Sequence, residues 1–427
     1  MSAAFFLAEK GYHPTVFEKN EYCGGMLRYG IPSYKLEKDV IEAEIDVMRE
    51  MGVEIRTGVE VGKDVTLPGL RAEGYKAFYI AIGCSAGRRP NIPGDTAEDT
   101  FTAIDYLHEA NTGSTCFDGT VVVVGGGNVA IDAARVSIRS GAKKVTALCL
   151  ESAAEMPASD EEVREAVEDG VVIMNGWGPK EVLTDNGKVC GIVFKKCTSV
   201  KNAQGRFAPT YNEEETFTLS CDRVIFAVGQ ASVWGDLVLN ENIEFKGPAI
   251  VADALTYQTG QPDIFVGGDV YTGPSFAIDA IAAGHAAAES LHRYVQNAHM
   301  TIGRNTWEFN MLDKDNLSIE SYDNASRQIP GTDASLPKYS FRDAHITFTE
   351  EQVKAETARC LGCGATIVDA NKCIGCGVCT AKCEFGAITL HRDRPECSTM
   401  LKAEDKLKAI LPYQAKRAIR IARNKKD

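Results

Sequence analysis

The feature that most constrains the fold is a run of four valines, Val121–Val124, followed at once by three glycines and a helical pattern. Four consecutive β-branched residues predict a strand buried on both faces, as in a parallel sheet covered by helices. Gly125, Gly127 and Ala130 then occupy the small-residue positions of a dinucleotide-binding fingerprint. The order of strand, glycines and helix predicts a nucleotide-binding unit. A glycine-rich turn without a ligand is the simpler alternative.

Each position in this turn has a physical task. Gly125 allows a tight turn, Gly127 allows the backbone to approach a pyrophosphate, and Ala130 lets the helix pack closely against the strand. The first helical amides, those of Asn128 and Val129, would face the phosphates because the helix N-terminus attracts anions. We therefore expect these five residues to bind a dinucleotide.

The composition excludes several classes of protein. A chain of 427 residues with 44% hydrophobic and 25% charged residues is typical of a globular protein of two or three domains. It has no apolar run long enough to span a bilayer and no secretory signal, so we expect a cytoplasmic protein without a membrane partner. A net charge of −13 argues against nucleic-acid binding.

A strand ending in an acid, Thr15–Glu18, opens the chain after a short helix. In the dinucleotide fingerprint such an acid lies about 20 residues after the glycines and binds the adenosine ribose. Counting back from Glu18, the glycines fall before Met1, so we expect upstream codons to encode a strand and a Gly-x-Gly-x-x-Gly turn. The alternative is a protein that has lost its outer nucleotide site.

Glycine motifs also lie on both sides of the valine strand: Gly24-Gly25 and Ala81–Gly83 before it, Val224–Gln230 and Phe265–Asp269 after it. This order resembles flavoproteins in which a nicotinamide-dinucleotide domain is inserted into a split FAD domain. Residues 23–34 (CGGMLRYGIPSY) strongly resemble the flavin-contacting segment of the glutamate synthase small subunit and of the flavin module of dihydropyrimidine dehydrogenase.

The resemblance implies which residues bind FAD. Asp269 would contact the ribityl or phosphate portion, and the helix that begins near Ser275 would face the isoalloxazine ring. His285 and His292 on that helix are expected to serve packing. Cys23 has no cysteine beside it, so thiol–disulfide chemistry is not expected. The predicted cofactor-binding residues of the outer domain are Glu18, Gly24, Gly25, Met26, Arg28, Gly83, Gly229, Gly268, Asp269, Ser275 and Ala277.

The strand Lys144–Leu150 ends at Glu151, which bears on the choice of coenzyme. Many relatives that use NADPH have arginines here, which pair with the ribose 2′-phosphate. A carboxylate would instead accept hydrogen bonds from both ribose hydroxyls and repel a phosphate. Glu151 therefore favours NAD(H) over NADP(H). The alternative is that Glu151 is only a solvated strand end.

Seven of the fourteen cysteines lie between Cys360 and Cys397. Cys373, Cys376, Cys379 and Cys383 have the C-x2-C-x2-C-x3-C spacing of bacterial ferredoxins, which predicts one [4Fe–4S] cluster. Zinc is the structural alternative. A second cluster is plausible, because its ligands could be drawn from Cys360, Cys363, Cys383 and Cys397 or from outside the chain. The metal-binding residues predicted are Cys360, Cys363, Cys373, Cys376, Cys379 and Cys383.

The fold class expected is α/β, with two Rossmann-like dinucleotide-binding domains and a small ferredoxin-like iron–sulfur domain. A threonine-glutamate capping box at Thr349 is predicted to open a helix that delivers Cys360. The basic tail is expected to form a solvated charged helix, although its apolar residues, among them Ile410 and Ile421, suggest partial packing. The alternative is that this helix helps to dock a redox partner. The domains predicted are residues 1–95 (FAD, first part), 96–224 (NAD(P)), 225–297 (FAD, second part), 298–345 (linker), 346–399 (iron–sulfur) and 400–427 (basic helix).

These parts predict an NADH-dependent oxidoreductase similar to the glutamate synthase small subunit. Electrons would pass from NADH through FAD to the cluster, and then to a partner subunit or a ferredoxin, so we expect a hetero-oligomer. No catalytic acid or base is needed, because the cofactors carry the chemistry. Two alternatives remain: a non-catalytic iron–sulfur assembly or relay protein without functional FAD, and a stand-alone reductase of a small molecule.

Overall fold

The computed structural model describes residues 1–113, 116–304, 325–360, 368, 373–382, 388–391 and 401–424. The chain forms two compact units, which are described separately. The first comprises Met1–Ile319 and Ser326–Ala355, and the second comprises Glu320–Ala325 and Glu356–Asp427.

In the described residues the strands are β1 (Thr15–Glu18), β2 (Glu54–Thr57), β3 (Phe78–Ile80), β4 (Ala86–Gly87), β5 (Thr100–Thr102), β6 (Thr120–Val124), β7 (Lys144–Cys149), β8 (Val172–Asn175), β9 (Trp177–Asp185), β10 (Lys188–Lys201), β11 (Phe207–Ser220), β12 (Arg223–Phe226), β13 (Gln230–Ala231), β14 (Phe245–Lys246), β15 (Ala249–Ile250), β16 (Ile264–Val266), β17 (Gly331–Thr332) and β18 (His345–Ile346).

The helices of the same residues are α1 (Ser2–Glu9), α2 (Met26–Tyr29), α3 (Lys38–Glu50), α4 (Leu67–Glu73), α5 (Ala103–Thr112), α6 (Asn128–Arg139), α7 (Asp160–Asp169), α8 (Asp269–Thr272), α9 (Ala277–Val295), α10 (Glu350–Ala358), α11 (Val378–Lys382) and α12 (Ala403–Asn424).

A five-stranded parallel sheet, in the order β5-β12-β6-β7-β8, is the centre of the first unit. The four valines of β6 are nearly inaccessible, which confirms the predicted burial on both faces. Val121 and Val123 pack with α6, whereas Val122 and Val124 pack with residues of β9 and β10. The valine run is therefore explained by two separate cores, one on each side of the sheet.

The second face of this sheet is covered by an antiparallel sheet in the order β11-β10-β9. Strands β10 and β11 are each 14 residues long and form an antiparallel hairpin. Strand β12 returns to the parallel sheet and pairs with β5 and β6. The predicted boundary at residue 224 therefore runs through a strand, and a boundary after Phe226 suits the observed pairing better.

The outer strands form two further parallel pairs, β1 with β2 and β3 with β16. Helix α1 packs against α9 at a close approach: a Cβ atom on Gly284 would lie 2.7 Å from the Cβ atom of Ser2. The ring of His285 stacks on Phe6 with centroids 4.0 Å apart, and Nδ1 of His292 lies 2.8 Å from the hydroxyl of Tyr12. Both histidines serve helix packing.

The segment that follows α2 is held against the inner sheet by ionic and aromatic contacts. The guanidinium of Arg139 lies 4.0 Å from the ring centre of Tyr34, and that of Arg135 lies 4.9 Å from it. Both guanidinium groups also donate to the carboxylate of Asp169. Lys35 pairs with Asp132 of α6. These contacts fix the segment implied to contact flavin relative to the helix implied to bind the dinucleotide.

Two details of the C-terminal part differ from expectation. The capping box at the start of α10 uses Gln352 rather than a glutamate: the amide of Thr349 donates to Oε1 of Gln352, and the amide of Gln352 donates to Oγ1 of Thr349. Ile410 and Ile421 of α12 are about half exposed, so the expected packing of that helix is not observed. No helix in the described ranges is long and apolar enough to cross a membrane.

Candidate functional site

The turn after β6 can be built only with very small residues. Gly125 has a φ of 149°, and a Cβ atom there would lie 2.5 Å from the carbonyl oxygen of Ala227. A Cβ atom on Gly126 would lie 2.8 Å from Oε2 of Glu151 and 2.9 Å from the Cβ atom of Cys149. These glycines bring the turn into contact with the ends of β12 and β7, as a dinucleotide fingerprint requires.

Gly127 differs from its neighbours because no atom stands near its missing side chain. It is the N-cap of α6 with an ordinary φ of −91°, and a Cβ atom there would meet no atom within 4 Å. The space beside it is the place where the fingerprint puts a pyrophosphate against the first helical amides. Three features therefore fit a bound pyrophosphate: the open space beside Gly127, the N-terminus of α6 and the fully buried Ala130, which lets that helix pack closely.

A cleft of about 150 Å³ opens at the carboxyl ends of β6 and β12. One side is formed by residues 127–130 and the other by Phe226, Ala227, Gly229 and Gln230. Five of the predicted cofactor residues line this cleft: Gly127, Asn128, Val129, Ala130 and Gly229.

Pro274, which directly precedes the predicted flavin residue Ser275, also lines the cleft. The inner-domain turn and the loop implied to bind flavin therefore face a common space. Ala103 and Ile104 at the start of α5 complete the lining with Gly87. Gly87, Ala103 and Ile104 lie in no motif, so the sequence analysis missed them. Gln230 ends the motif Val224–Gln230 but was not predicted as a cofactor residue.

The loop that follows Glu151 is fastened onto the glycine turn. The amide of Ala158 donates to the carbonyl of Gly126 at 3.0 Å, and the amide of Ser159 donates to Oδ1 of Asn128 at 3.0 Å. The side chain of Asn128 thus positions this loop, while its backbone amide lies at the helix N-terminus. The carboxylate of Glu151 lies beside Gly126, at the edge of the turn, and is partly exposed.

The predicted flavin residues near the start of the chain adopt the conformations that close backbone approach needs. Gly24 and Gly25 have φ values of 117° and 52°, and Met26 begins α2 directly after them. Glu18 ends β1, where its carboxylate accepts a hydrogen bond from the amide of Asn20 at 2.9 Å. Burial raises the pKa of this carboxyl, and the hydrogen bond opposes that rise.

A half-buried lysine that the sequence analysis missed holds this segment in place. The ammonium of Lys38 donates to the carbonyl of Leu27 at 3.0 Å and to that of Ile31. Burial, and then the positive charge of Arg28, lower the pKa of Lys38 to about 8. The guanidinium of Arg28 lies 4.1 Å from the ring centre of Tyr22 and donates to the carbonyl of Lys38.

The second group of predicted flavin residues lies after β16. Gly268, with a φ of 71°, leads into Asp269, whose carboxyl has its pKa raised by burial. A hydrogen bond from the backbone of Ser275 opposes this rise. Ala277 then begins α9, and the carboxylate of Asp279 accepts a hydrogen bond from the hydroxyl of Ser275. Asp269 and Ser275 are thus brought together, as the resemblance implies.

The two buried thiols beside these residues are structural. Burial, and then the negative charge of Glu18, raise the pKa of the Cys23 thiol. The Cys84 thiol, which follows Gly83 (φ 63°), donates to the carbonyl of Asp269 at 3.4 Å. The raised pKa makes the Cys23 thiol a poor nucleophile.

Four of the predicted metal ligands in the second unit are described and exposed: Cys360, Cys373, Cys376 and Cys379. Gly375 and Gly377 between them have φ values of 66° and 78°, which turn the backbone tightly at each step. Cys363 and Cys383 lie outside the described residues, and no three His, Cys, Asp or Glu side chains within the described ranges are grouped so as to hold a metal ion. The fit to a cubane therefore rests on the donor set, three thiolates at two-residue gaps.

Comparison with known proteins decides the family. Residues 1–284 match the model of the pyridine nucleotide-disulphide oxidoreductases, and residues 366–389 match that of the 4Fe-4S binding domain. The chain belongs to the pyridine nucleotide-disulphide oxidoreductase family. The matches imply binding of FAD, of a nicotinamide dinucleotide and of a [4Fe–4S] cluster, as the sequence analysis predicted.

Curated relatives of this oxidoreductase confirm the resemblance to the glutamate synthase small subunit. The glutamate synthase [NADPH] small chain of Azospirillum brasilense is 32% identical, over 69% of this chain and 64% of its own length. The NADP(+)-dependent formate dehydrogenase subunit beta of Moorella thermoacetica is 38% identical, over 69% and 42%. The NAD-dependent dihydropyrimidine dehydrogenase subunit PreT of Escherichia coli (strain K12) is 32% identical, over 70% and 66%. The chain thus matches only part of each relative.

A solved structure supports the fold of this oxidoreductase. FprA, a Mycobacterium tuberculosis oxidoreductase, superposes with a TM-score of 0.60 at 19% identity, covering 72% of this chain and 85% of that one. At this identity the similarity concerns the fold alone. It confirms the predicted α/β class with dinucleotide-binding domains.

Proposed function

We propose that the protein is an electron-transfer oxidoreductase in which NADH reduces bound FAD and a bound [4Fe–4S] cluster passes single electrons to a partner subunit or a ferredoxin. The observation that carries this proposal is the shared cleft: Gly127–Ala130 of the nicotinamide side and Pro274 of the flavin side line the same space. A hydride can move directly only between rings that are in contact, so the two sites must face each other.

The side chains of this site bind and orient, and none needs to move a proton. The open space at Gly127 admits the coenzyme pyrophosphate, and the amides of α6 stabilise its charge. A Cβ atom on Gly25 would meet no atom within 4 Å, so the backbone there is open to the approach of a ring system. Asp269 and Ser275 fix the start of α9 against the same cleft.

The preference for NADH rests on Glu151. Its carboxylate lies beside the glycine turn, where it can accept hydrogen bonds from the ribose hydroxyls and would oppose a 2′-phosphate. Relatives of this chain are named for either coenzyme, so the family alone leaves the choice open.

Glu151→Arg tests the coenzyme assignment. We expect the wild type to have a higher kcat/KM for NADH than for NADPH, and the substitution to narrow or reverse that ratio. The ratio of kcat/KM for NADH to that for NADPH should fall about 10-fold to 100-fold. The substitution removes a carboxylate that would bind the ribose hydroxyls of NADH and adds a guanidinium that would bind the 2′-phosphate of NADPH. Glu44→Arg, which replaces an exposed carboxylate of α3, is the matched control and should leave the ratio unaltered. A wild type that prefers NADPH would contradict the assignment.

The proposed electron path is tested by adding NADH to the FAD- and cluster-loaded protein without oxygen. We expect bleaching of the flavin absorbance, followed by the EPR signal of a reduced cluster. Flavin that stays oxidised with excess NADH would contradict the proposal. If the flavin is reduced and the cluster stays oxidised, the protein is an NADH-dependent flavin reductase whose cluster does not carry electrons from the flavin.

We further propose that the protein acts with a redox partner and that its chain divides into three domains. Relatives of this chain are named as subunits or small chains of larger enzymes, which supports a hetero-oligomer with a redox partner. We place the FAD domain in residues 1–95 and 227–297, the NAD domain in 96–226, and the iron–sulfur module in 346–399. The basic helix α12 follows that module.

A further inference from the structure

A lysine from the β-hairpin stands next to the strand end that carries Glu151. Strand β10 pairs with β9 so that Lys196 lies opposite Trp177, directly after the turn at Gly176. The amide of Gly176 donates to the carbonyl of Glu151 at 3.0 Å. A Cβ atom on Gly176 would lie 3.3 Å from Nζ of Lys196. The hairpin therefore brings an ammonium group to the edge of the predicted ribose site.

The ammonium of Lys196 has no anionic partner among the residues that the structure describes. Its Nζ lies 4.5 Å from the ring centre of Trp177, and no carboxylate oxygen within the described ranges lies within ion-pair distance. The preceding residue, Lys195, shows the opposite arrangement: its Nζ is 2.6 Å from Oε1 of Glu213. Adjacent residues of a strand point to opposite faces, so the two lysines have different environments.

Electrostatic effects on a neighbouring thiol agree with this placement. Burial is the main cause that raises the pKa of the Cys197 thiol, the negative charge of Glu151 raises it further, and Lys196 lowers it. Both charges therefore lie near enough to Cys197 to act on its thiol. The amide of Cys197 also donates to the carbonyl of Gly176 at 2.9 Å, which fixes β10 there.

We propose that Lys196 receives the ribose 2′-phosphate of NADP(H), so that the protein uses NADPH as a second coenzyme despite Glu151. This inference rests on the proposed function, because it takes the cleft to be the coenzyme site. An ammonium without a carboxylate partner is available to a phosphate, and a charge-assisted contact of this kind contributes to affinity. Glu151 and Lys196 then act in opposite directions on the same ribose, and their balance sets the NADH/NADPH ratio.

The test measures binding rather than turnover. NAD⁺ and NADP⁺ differ only by the 2′-phosphate, and each is titrated calorimetrically into FAD-loaded wild type, Lys196→Met, Lys196→Arg and Lys195→Met. We expect Lys196→Met to raise the Kd for NADP⁺ about tenfold and to leave that for NAD⁺ unchanged. Lys196→Arg should retain NADP⁺ binding, and Lys195→Met should alter neither. Melting temperatures show that each variant is folded.

Three outcomes would overturn the inference. They are an unchanged Kd for NADP⁺ in Lys196→Met, an equal loss of both nucleotides, and no measurable binding of NADP⁺ by the wild type. An equal loss would mean that Lys196 and Trp177 support the adenine or the hairpin itself. Failure of the proposed function is recognised separately, because it appears as loss of NADH-dependent flavin reduction in the wild type.

Discussion

Gly127→Val should abolish coenzyme binding in a chain that still folds. The space beside Gly127 is open and its φ of −91° suits any residue, so a valine fits the protein without a clash. Its methyl groups would occupy the place of the pyrophosphate and prevent contact with the first amides of α6. Losing two charge-assisted hydrogen bonds weakens binding by roughly a hundredfold to ten-thousandfold. NADH titration and steady-state kinetics measure the loss.

Gly125→Val is the informative comparison, because its effect should be on folding. A Cβ atom at Gly125 would lie 2.5 Å from a backbone carbonyl oxygen, and its φ of 149° is unfavourable for a β-branched residue. We expect a clear fall in melting temperature for Gly125→Val. For Gly127→Val the change should be small, since the exchange of a glycine N-cap for valine costs no more than about 1 kcal/mol. Retention of normal NADH affinity by Gly127→Val would rule out the cleft as the pyrophosphate site.

Cys376→Ser should eliminate electron transfer to a one-electron acceptor while flavin reduction by NADH continues. Cys373, Cys376 and Cys379 follow one another at two-residue gaps, so their thiolates are suited to one cubane. A serine in place of the central ligand should remove that cluster's iron and the EPR signal of its reduced form. Binding of FAD and NADH depends on residues of the first unit and should persist.

Cys190→Ser is the matched control for this experiment. Cys190 is also exposed, lies in β10 of the first unit, and belongs to no predicted ligand set. Iron content and acceptor reduction should equal those of the wild type. If Cys376→Ser loses the cluster but keeps acceptor reduction, the cluster is a structural element and flavin donates directly to the acceptor.

The inner domain and the cluster ligands could be predicted because their signals are local in sequence. The valine run predicted a strand buried on both faces, and the structure divides alternate valines between two cores. The glycine turn was predictable for the same reason. Side chains at Gly125 and Gly126 would clash with residues at the ends of the two neighbouring strands, and such strand ends always adjoin a turn of this kind. The cysteine spacing predicted the cluster because chain length between ligands limits how they can be arranged.

The contacts that complete the site depend on tertiary structure. Pro274 faces Gly127 across the cleft although about half of the first unit separates them in sequence, and no spacing rule connects them. Nothing in the local sequence distinguishes Lys38 from other lysines on a helix. Tertiary structure alone brings its ammonium to the carbonyls of Leu27 and Ile31, to which it donates hydrogen bonds. The residues of α12 are exposed, as expected of a solvated charged helix, and the partial packing that its apolar residues suggested is not observed. Amphipathic spacing does not specify whether a partner surface covers a helix.

The sequence by itself determined the fold class, the dinucleotide turn and the position of the Glu151 carboxylate at the end of the next strand, because each depends on neighbours within one strand-turn-helix unit. Tertiary structure alone decided what surrounds that carboxylate. The register between β9 and β10 places Lys196, rather than Lys195, beside the turn that bonds to Glu151, and a shift of one residue would exchange the two lysines. Strand register is set by packing of the whole hairpin, so no local pattern reveals which of the two lysines lies beside Gly176.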